Sequence, residues 1–443
     1  MLLVNLRELV IKTLVEVEKN NSYVNLLLPK LIANLAKKED KDFVVELTYG
    51  VLKQLKLLDY MAGKLLKKRS KLPPFVINAI RVGLYQLYFL DKVPTYAAIN
   101  ETVEAVKRNY RGFTGVVNGV LRNFIRRREE ITKIDVSDEV EYLAIAYSHP
   151  EWMVKRWLNQ YGYTKTVEIL KYNNHQPNLT LRINTLKISP KAYCDLLNEK
   201  NINFKQLPYL PEGVVILDKV GVKELPGYDE GLFYIQDTGS MFIAYLINPE
   251  PNSVGIDACA APGGKSTHLA QLMGNKGIIY AFDVHPGRLK LIEENAHRLG
   301  INIIRCLLGD ATRLKLPDGV NPNWILADVP CSGTGVLARK PDARWQKSEE
   351  EIIKLSQYQL EILTNLSKLL PPEGILVYST CSIEPEENEG VVENFLRKNP
   401  NFVLVKPPEW FFNLGIVKNN YYLRLLPGEI GDGFFGVILK KLC

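Results

Sequence analysis

The chain has 443 residues, 46% of them hydrophobic and 24% charged, with 56 Lys+Arg against 49 Asp+Glu. That length suits roughly two to four domains, each with its own core, and the composition excludes collagen-like, low-complexity and wholly disordered chains. The net charge of +7 is unevenly placed: residues 1–140 hold 24 Lys+Arg and 16 Asp+Glu, so the first third carries +8 and the remainder −1.

The opening MLLVNLRELVIKTLVEVEKN is charged too early and too often for a secretory signal. No uncharged apolar run approaches the ~18 residues of a membrane span. Residues 1–130 read as helix after helix with a 3.6-residue period. Leu6, Val10, Leu14 and Val17 share one face, as do Ile99, Val103 and Val106, and Leu72-Pro73-Pro74 breaks the series. Basic residues cluster at Lys64, Lys67, Lys68, Arg69 and Lys71, then at Arg122, Arg126, Arg127 and Arg128. A basic helical module joined to a neutral remainder suggests a polyanion-binding part and a separate chemical part. A solvated, lysine-rich helix face accounts for the same clusters.

From about 141 to 235 helical and strand-like pieces mix. Leu181 and Ile183 alternate with Arg182 and Asn184, KAYCDLLNEK reads as helix, and VVIL and GLFYI as short strands. From about 236 the pattern is α/β: SVGIDACAAPGGKS, GIIYAFDV, IIRCLLGD, NWILADVPCSGTG, GILVYSTCS and FFGVILKK alternate with helical stretches. This predicts a doubly wound, mostly parallel sheet with ligands at the strands' carboxyl ends. The expected organisation is multidomain: an all-α domain over 1–138, a small α+β connector over 139–233 and an α/β domain over 234–443.

The loop after the first α/β strand, Ala258 to Ser266, ends in Gly264-Lys265-Ser266 like a phosphate-binding loop, but Cys259 stands where that motif needs its first glycine. What remains is a Gly-rich turn allowing close backbone approach. Asp257, Asp283 and Asp310 end three successive strands; Asp283 is placed for a ribose diol and Asp310 for an adenine amine. Acids often follow strands merely as helix caps, but three on three successive strand ends favour a nucleoside-bearing cofactor. Nothing organises a phosphate chain with magnesium, so S-adenosylmethionine fits better than a nucleoside triphosphate. Six cysteines are too scattered for a disulfide framework, and without CxxC-type or His-rich spacing no metal site is expected.

Cys331 and Cys381 follow two further strands, in Asp328-Val329-Pro330-Cys331 and Tyr378-Ser379-Thr380-Cys381. Cys194 and Cys306 read as small half-buried residues and Cys443 is terminal. A pyrimidine C5 is too weak a nucleophile to attack a methyl sulfonium. Adding a thiolate to C6 makes C5 an enamine carbon that can do so. Cys381, Asp328 and Cys331 supply a nucleophile, a group for the N3 and amino edge, and a group for release. Lys265 is placed to orient Asp328 or to lower a thiol's pKa. Such a target base must be unstacked, which favours loop or single-stranded RNA.

These residues resemble RNA cytosine-5 methyltransferases. The matching stretches are Asp-Ala-Cys-Ala-Ala-Pro-Gly-Gly-Lys (257–265), Asp-Val-Pro-Cys-Ser-Gly-Thr-Gly (328–335), Tyr-Ser-Thr-Cys-Ser (378–382), Asp-Gly-Phe-Phe (432–435) and Tyr-Ile-Gln-Asp-Thr-Gly-Ser (234–240). The resemblance implies a Rossmann-like class I methyltransferase domain using S-adenosylmethionine and yielding S-adenosylhomocysteine. It implies cofactor contacts from Cys259, Ala260, Ala261, Pro262, Gly263, Gly264, Lys265, Asp283, Arg288, Asp310 and Asp328. It also implies Cys381 as nucleophile and Cys331 as the release cysteine, with Asp328 and Lys265 beside them. Val329 departs from the family, where alanine is more usual; the change is small and apolar, and no loss of function is expected.

The stretches 47–52, 83–87, 93–101 and 117–122 resemble the bacterial subgroup with a NusB-like N-terminal domain. That implies 16S rRNA, or an early small-subunit assembly intermediate, as partner, and cytosine 967 as target. A cytoplasmic monomer without membrane or metal is expected. Transfer RNA methylation by the same chemistry and a catalytically silent RNA-binding assembly or antitermination factor are the alternatives.

Overall fold

In the computed structural model, which describes residues 5–20, 22–66 and 72–443, the apolar faces of the N-terminal segment meet in one helical core. Val10, Leu14 and Val17 of the helix Leu6–Asn20 are buried, with Leu6 packed at the margin. Against them lie the helices Lys38–Lys53, Pro74–Phe89, Thr95–Asn109 and Thr114–Arg126. Pro74 starts its helix, where a missing N–H costs nothing. That helix is buried on nearly all sides, so its one guanidinium, Arg81, must be paired. It donates to Asp59 at 2.7 and 2.8 Å, and to Glu18 and Asn78.

The chain divides into two compact units, Met1–His175 with Leu337–Lys347, and Gln176–Val336 with Ser348–Cys443. The short second piece of the helical unit lies, by sequence, inside the α/β segment. Arg344, fully buried, donates to Ser148 O at 3.1 Å, Asn173 O at 2.8 Å and Asn174 Oδ1 at 2.8 Å, and Trp345 Nε1 donates to Leu52 O at 2.8 Å. Of the first basic cluster only Lys64 falls among the described residues; Lys67, Lys68, Arg69 and Lys71 lie outside them. The second cluster is exposed, with Arg127 paired to Glu130 and Arg128 over the Tyr88 ring at 5.5 Å.

The other unit holds two sheets. The smaller is antiparallel, in the order β2-β3-β1-β4, with β1 Leu179–Ile183, β2 Phe204–Gln206, β3 Gly213–Ile216 and β4 Phe233–Ile235. The larger contains β5 Val254–Asp257, β6 Ile278–Asp283, β7 Ile304–Leu308, β8 Trp324–Asp328, β9 Ile375–Thr380, β10 Phe402–Val405, β11 Val417–Lys418, β12 Tyr422–Leu425 and β13 Phe434–Lys441. Its order is β11-β12-β13-β9-β8-β5-β6-β7, with β10 on β13.

The five strands β9-β8-β5-β6-β7 are parallel. The run FFGVILKK, read from sequence as one more strand of a mostly parallel sheet with no direction assigned to it, is antiparallel to β9 and to β12. An apolar run marks a buried strand but not its direction; here no helical crossover separates β12 from β13, and without one the chain reverses. Between β8 and β6, β5 marks the point where the chain order reverses, so the loops after β5 and β8 open onto one crevice.

Close packing fixes the centre of this sheet. Gly255 on β5 faces Trp324 on β8, and a Cβ at 255 would fall 1.9 Å from the indole. Gly255→Ala is therefore expected to destabilise the protein by about 1–3 kcal/mol through overpacking. Thermal unfolding checks this, and an unchanged Tm would contradict the packing.

Candidate active site

The β5 carboxyl end carries Asp257, and the chain then turns through residues 258–263 into the helix Gly264–Leu272. Gly263, at the helix start, has φ +99°, a conformation open to glycine. Asp257 is fully buried and accepts from Ser266 Oγ at 2.6 Å. Burial pushes its carboxyl up to about 7, against the Ser266 bond and with the Asp328 charge adding to the rise. Its Oδ1 is buried without a hydrogen-bond partner.

Asp283 ends β6 and is nearly buried. It accepts from Ala261 N at 3.3 Å and His285 N at 3.0 Å, so it ties the first loop to the second. Arg288 lies 3.8 Å from it and donates to Ala261 O at 3.4 Å, leaving half of its side chain exposed. Asp310, two residues past β7, does local work: it accepts from Thr312 N at 3.0 Å and Thr312 Oγ1 at 2.8 Å and pairs with Arg313 at 3.2 Å. The Thr312 side-chain bond leads in holding its carboxyl below the usual range.

β8 and β9 are parallel neighbours with Asp328 opposite Ser379. That register brings the turns after them together, and Cys331 Sγ lies 3.1 Å from Cys381 Sγ. Neither sulfur is in a disulfide, and both residues are half-buried. Asp328 accepts from Lys265 Nζ at 2.7 Å and from Ser379 Oγ at 2.8 Å. Burial pulls the Lys265 ammonium down, but the charge and hydrogen bond of Asp328 outweigh it, Cys381 adds to the pull, and the net direction is up. Lys265 also sits 5.4 Å from the centre of the Phe434 ring. The Cys331 thiol is pushed well above its ordinary value, first by its bond with Cys381, then by burial, then by the charges of Cys381, Glu387 and Asp328. One crevice therefore holds two sulfurs, a carboxylate and an ammonium, with the Gly-rich loop at its side.

The sequence reading missed several supports. Arg182 of β1, fully buried, donates to Gly264 O at 2.7 Å and Thr267 Oγ1 at 2.9 Å, bracing the first turn of the loop's helix. Tyr358 is pushed up by burial and then by the charges of Asp310 and Cys259, which places it near both strand-end loops. Glu387, Asn388 and Gln359 are buried behind the cysteine turns. The sequence singles out none of the three; Glu387 sits in an acidic run, and such runs are usually solvated. Among the described residues, no group of three or more His, Cys, Asp or Glu side chains could hold a metal ion, and no helix is long and apolar enough to cross a membrane.

The geometry has counterparts in known proteins. Residues 244–440 match the family described as 16S rRNA methyltransferase RsmB/F, residues 4–126 match the NusB family, and residues 149–223 match an RsmF/B-like ferredoxin-like domain. A probable ribosomal RNA small subunit methyltransferase B of Bacillus subtilis is 37% identical, over 99% of both chains. The crystal structure of PH0851 has a TM-score of 0.79 at 25% identity, covering 100% of both chains. The structure of NSun6 from Pyrococcus horikoshii with SFG, an S-adenosylmethionine analogue, has a TM-score of 0.59 at 26% identity, covering 66% of this chain and 98% of that one.

Proposed function

The chain belongs to the 16S rRNA methyltransferase RsmB/F family, and from that premise we propose that it methylates C5 of one cytosine in 16S rRNA, cytosine 967, through a covalent bond from Cys381 to C6. It is an RNA methyltransferase dependent on S-adenosylmethionine. In this reading it acts in the cytoplasm as a monomer, with residues 1–138 and 139–233 holding RNA and 234–443 carrying the chemistry. The observation that supports it most is the pair of sulfurs 3.1 Å apart beside the Lys265–Asp328 ion pair.

The loop Cys259 to Lys265, with Asp283, Arg288 and Asp310, would hold the cofactor; its Gly-rich turn, with Gly263 at φ +99°, suits close backbone approach. S-adenosylmethionine, when bound, supplies the methyl group. Cys381, as thiolate, adds to C6 of a flipped cytosine, and the electron pair of the C5–C6 bond moves toward N3. Asp328 stands at the N3 and amino edge, where its carboxylate can accept from the amino group, and the Lys265 ammonium beside it orients Asp328 and offsets the negative charge that arrives. C5, now nucleophilic, takes the methyl. The C5 proton then passes to solvent water, its C–H electron pair reforms the C5–C6 double bond, the C6–S bond breaks, and Cys381 departs with that pair as thiolate. Cys331, in contact with Cys381, assists this release.

Incubating the full chain with labelled S-adenosylmethionine, unmethylated 16S rRNA and bulk transfer RNA tests the substrate. Label is expected in 16S rRNA at a single 5-methylcytosine. Label confined to transfer RNA would contradict the proposal.

A further inference from the structure

Two turns from separate strands must hold their sulfurs in register, and a set of buried side chains outside the reaction scheme grips both. On the Cys331 side, Gln359 Nε2 donates to Pro330 O at 2.9 Å, fixing the peptide before the cysteine. Ser332 N donates to Glu387 Oε1 at 2.8 Å, fixing the peptide after it. Gln359 Nε2 also donates to Glu387 Oε1 at 2.9 Å, so the two side chains clamp both flanks of Cys331 as one piece.

On the Cys381 side, the next residue along, Asn388, does the same. Thr380 Oγ1 donates to Asn388 Oδ1 at 2.6 Å, and Asn388 Nδ2 donates to Ser382 O at 2.9 Å. Glu387 reaches this turn through the Ser382 hydroxyl, which donates to Oε2 at 2.5 Å; the Ser332 hydroxyl donates to the same oxygen. The Glu387 backbone is itself anchored, its carbonyl accepting from Tyr378 OH at 2.5 Å. Glu387, Asn388, Gln359, Thr380 and Ser382 are fully buried. A buried carboxylate is tolerable when donors saturate it, and this one receives four.

We propose that Glu387 is a positioning residue for product release: its carboxylate holds the Cys331 turn against Cys381, while Asn388 separately holds the nucleophile's turn. The proposal rests on the reading of Cys381 as nucleophile and Cys331 as the release cysteine. The division of labour follows from the contacts. Truncating Glu387 frees the peptide after Cys331 and loosens Gln359. It leaves Thr380 and Ser382 tied to Asn388, so Cys381 keeps its place and attack continues.

Glu387→Ala and Glu387→Gln separate bracing from charge. Glutamine keeps a carbonyl oxygen for Ser332 N and Gln359. Its amide nitrogen replaces Oε2 and can donate to the Ser332 and Ser382 hydroxyls, which rotate to accept. The two variants, wild type and Cys331→Ala are each incubated with S-adenosylmethionine and unmethylated 16S rRNA. Turnover is followed by label, and protein–RNA adduct on a denaturing gel.

Glu387→Ala is expected to lose about 10²-fold in turnover, the scale of a roughly 1 Å misplacement, and to accumulate adduct as Cys331→Ala does. Glu387→Gln is expected to turn over close to wild type without adduct. A general folding defect lowers attack and release together and builds up no adduct. If Cys331→Ala accumulates adduct and Glu387→Ala does not, the positioning role is wrong. Glu387→Gln as defective as Glu387→Ala also overturns it, since charge rather than bracing would then be required. If Cys331→Ala itself forms no adduct, the assignment of release to Cys331 fails first, and this proposal with it.

Discussion

Cys381→Ala is expected to abolish methyl transfer to 16S rRNA, lowering turnover on the order of 10⁴-fold or more, as removal of a covalent nucleophile does elsewhere. Without a thiolate on C6, C5 of cytosine stays part of an aromatic ring and does not attack a methyl sulfonium. The effect should fall on chemistry and not on folding. Cys381 is a small, half-buried side chain, and its turn is held by backbone and hydroxyl bonds around Thr380 and Ser382 that do not involve the sulfur. The variant should therefore keep the wild-type Tm and form no adduct with RNA. Label transfer, an unfolding curve and a denaturing gel check the three points together. Active Cys381→Ala protein would move the nucleophile elsewhere.

Cys331→Ala should fail in the opposite way. Its sulfur lies 3.1 Å from that of Cys381, and that contact, burial and neighbouring negative charge push its thiol well above the ordinary value. That contact places it to assist the step that returns the Cys381 sulfur to a free thiolate. Attack and methylation then proceed, but elimination slows by about 10²–10⁴-fold, the usual worth of a positioned proton-transfer group. The expected outcome is a stable protein–RNA adduct carrying one methyl group per protein. A double variant, Cys331→Ala with Cys381→Ala, should lose that adduct. Should Cys331→Ala abolish attack while Cys381→Ala stays active, the two roles are reversed.

Much of the catalytic unit was legible in the sequence because strand ends are punctuated. A polar or Gly-rich turn after an apolar run places Asp257, Asp283, Asp328, Cys331 and Cys381 at strand ends, and the parallel pairing of β8 with β9 then brings the last three together. The helical core was legible for a similar reason: a 3.6-residue period puts Val10, Leu14 and Val17 on one buried face.

What stayed hidden depends on tertiary context. Strand direction in β13 is set by how the chain returns, which the run FFGVILKK does not encode. The segment Leu337–Lys347 lies by sequence within the α/β part, and its bonds from Arg344 and Trp345 show that it belongs to the helical unit. Asp310 follows a strand as Asp283 does, and its carboxylate also accepts from Thr312 two residues on, a local turn that the sequence does not announce. Glu387 sits in EPEENEG, a run that reads as solvated charge until its burial is seen.

The identity of the nucleophile is open to direct measurement. In 16S rRNA carrying 5-fluorocytosine, the target C5 has no proton to release, so wild-type protein and S-adenosylmethionine should stop at the covalent stage. Digesting that adduct and identifying the modified peptide by mass spectrometry should place the nucleotide on Cys381. A nucleotide on Cys331, or no adduct at all, would contradict the account.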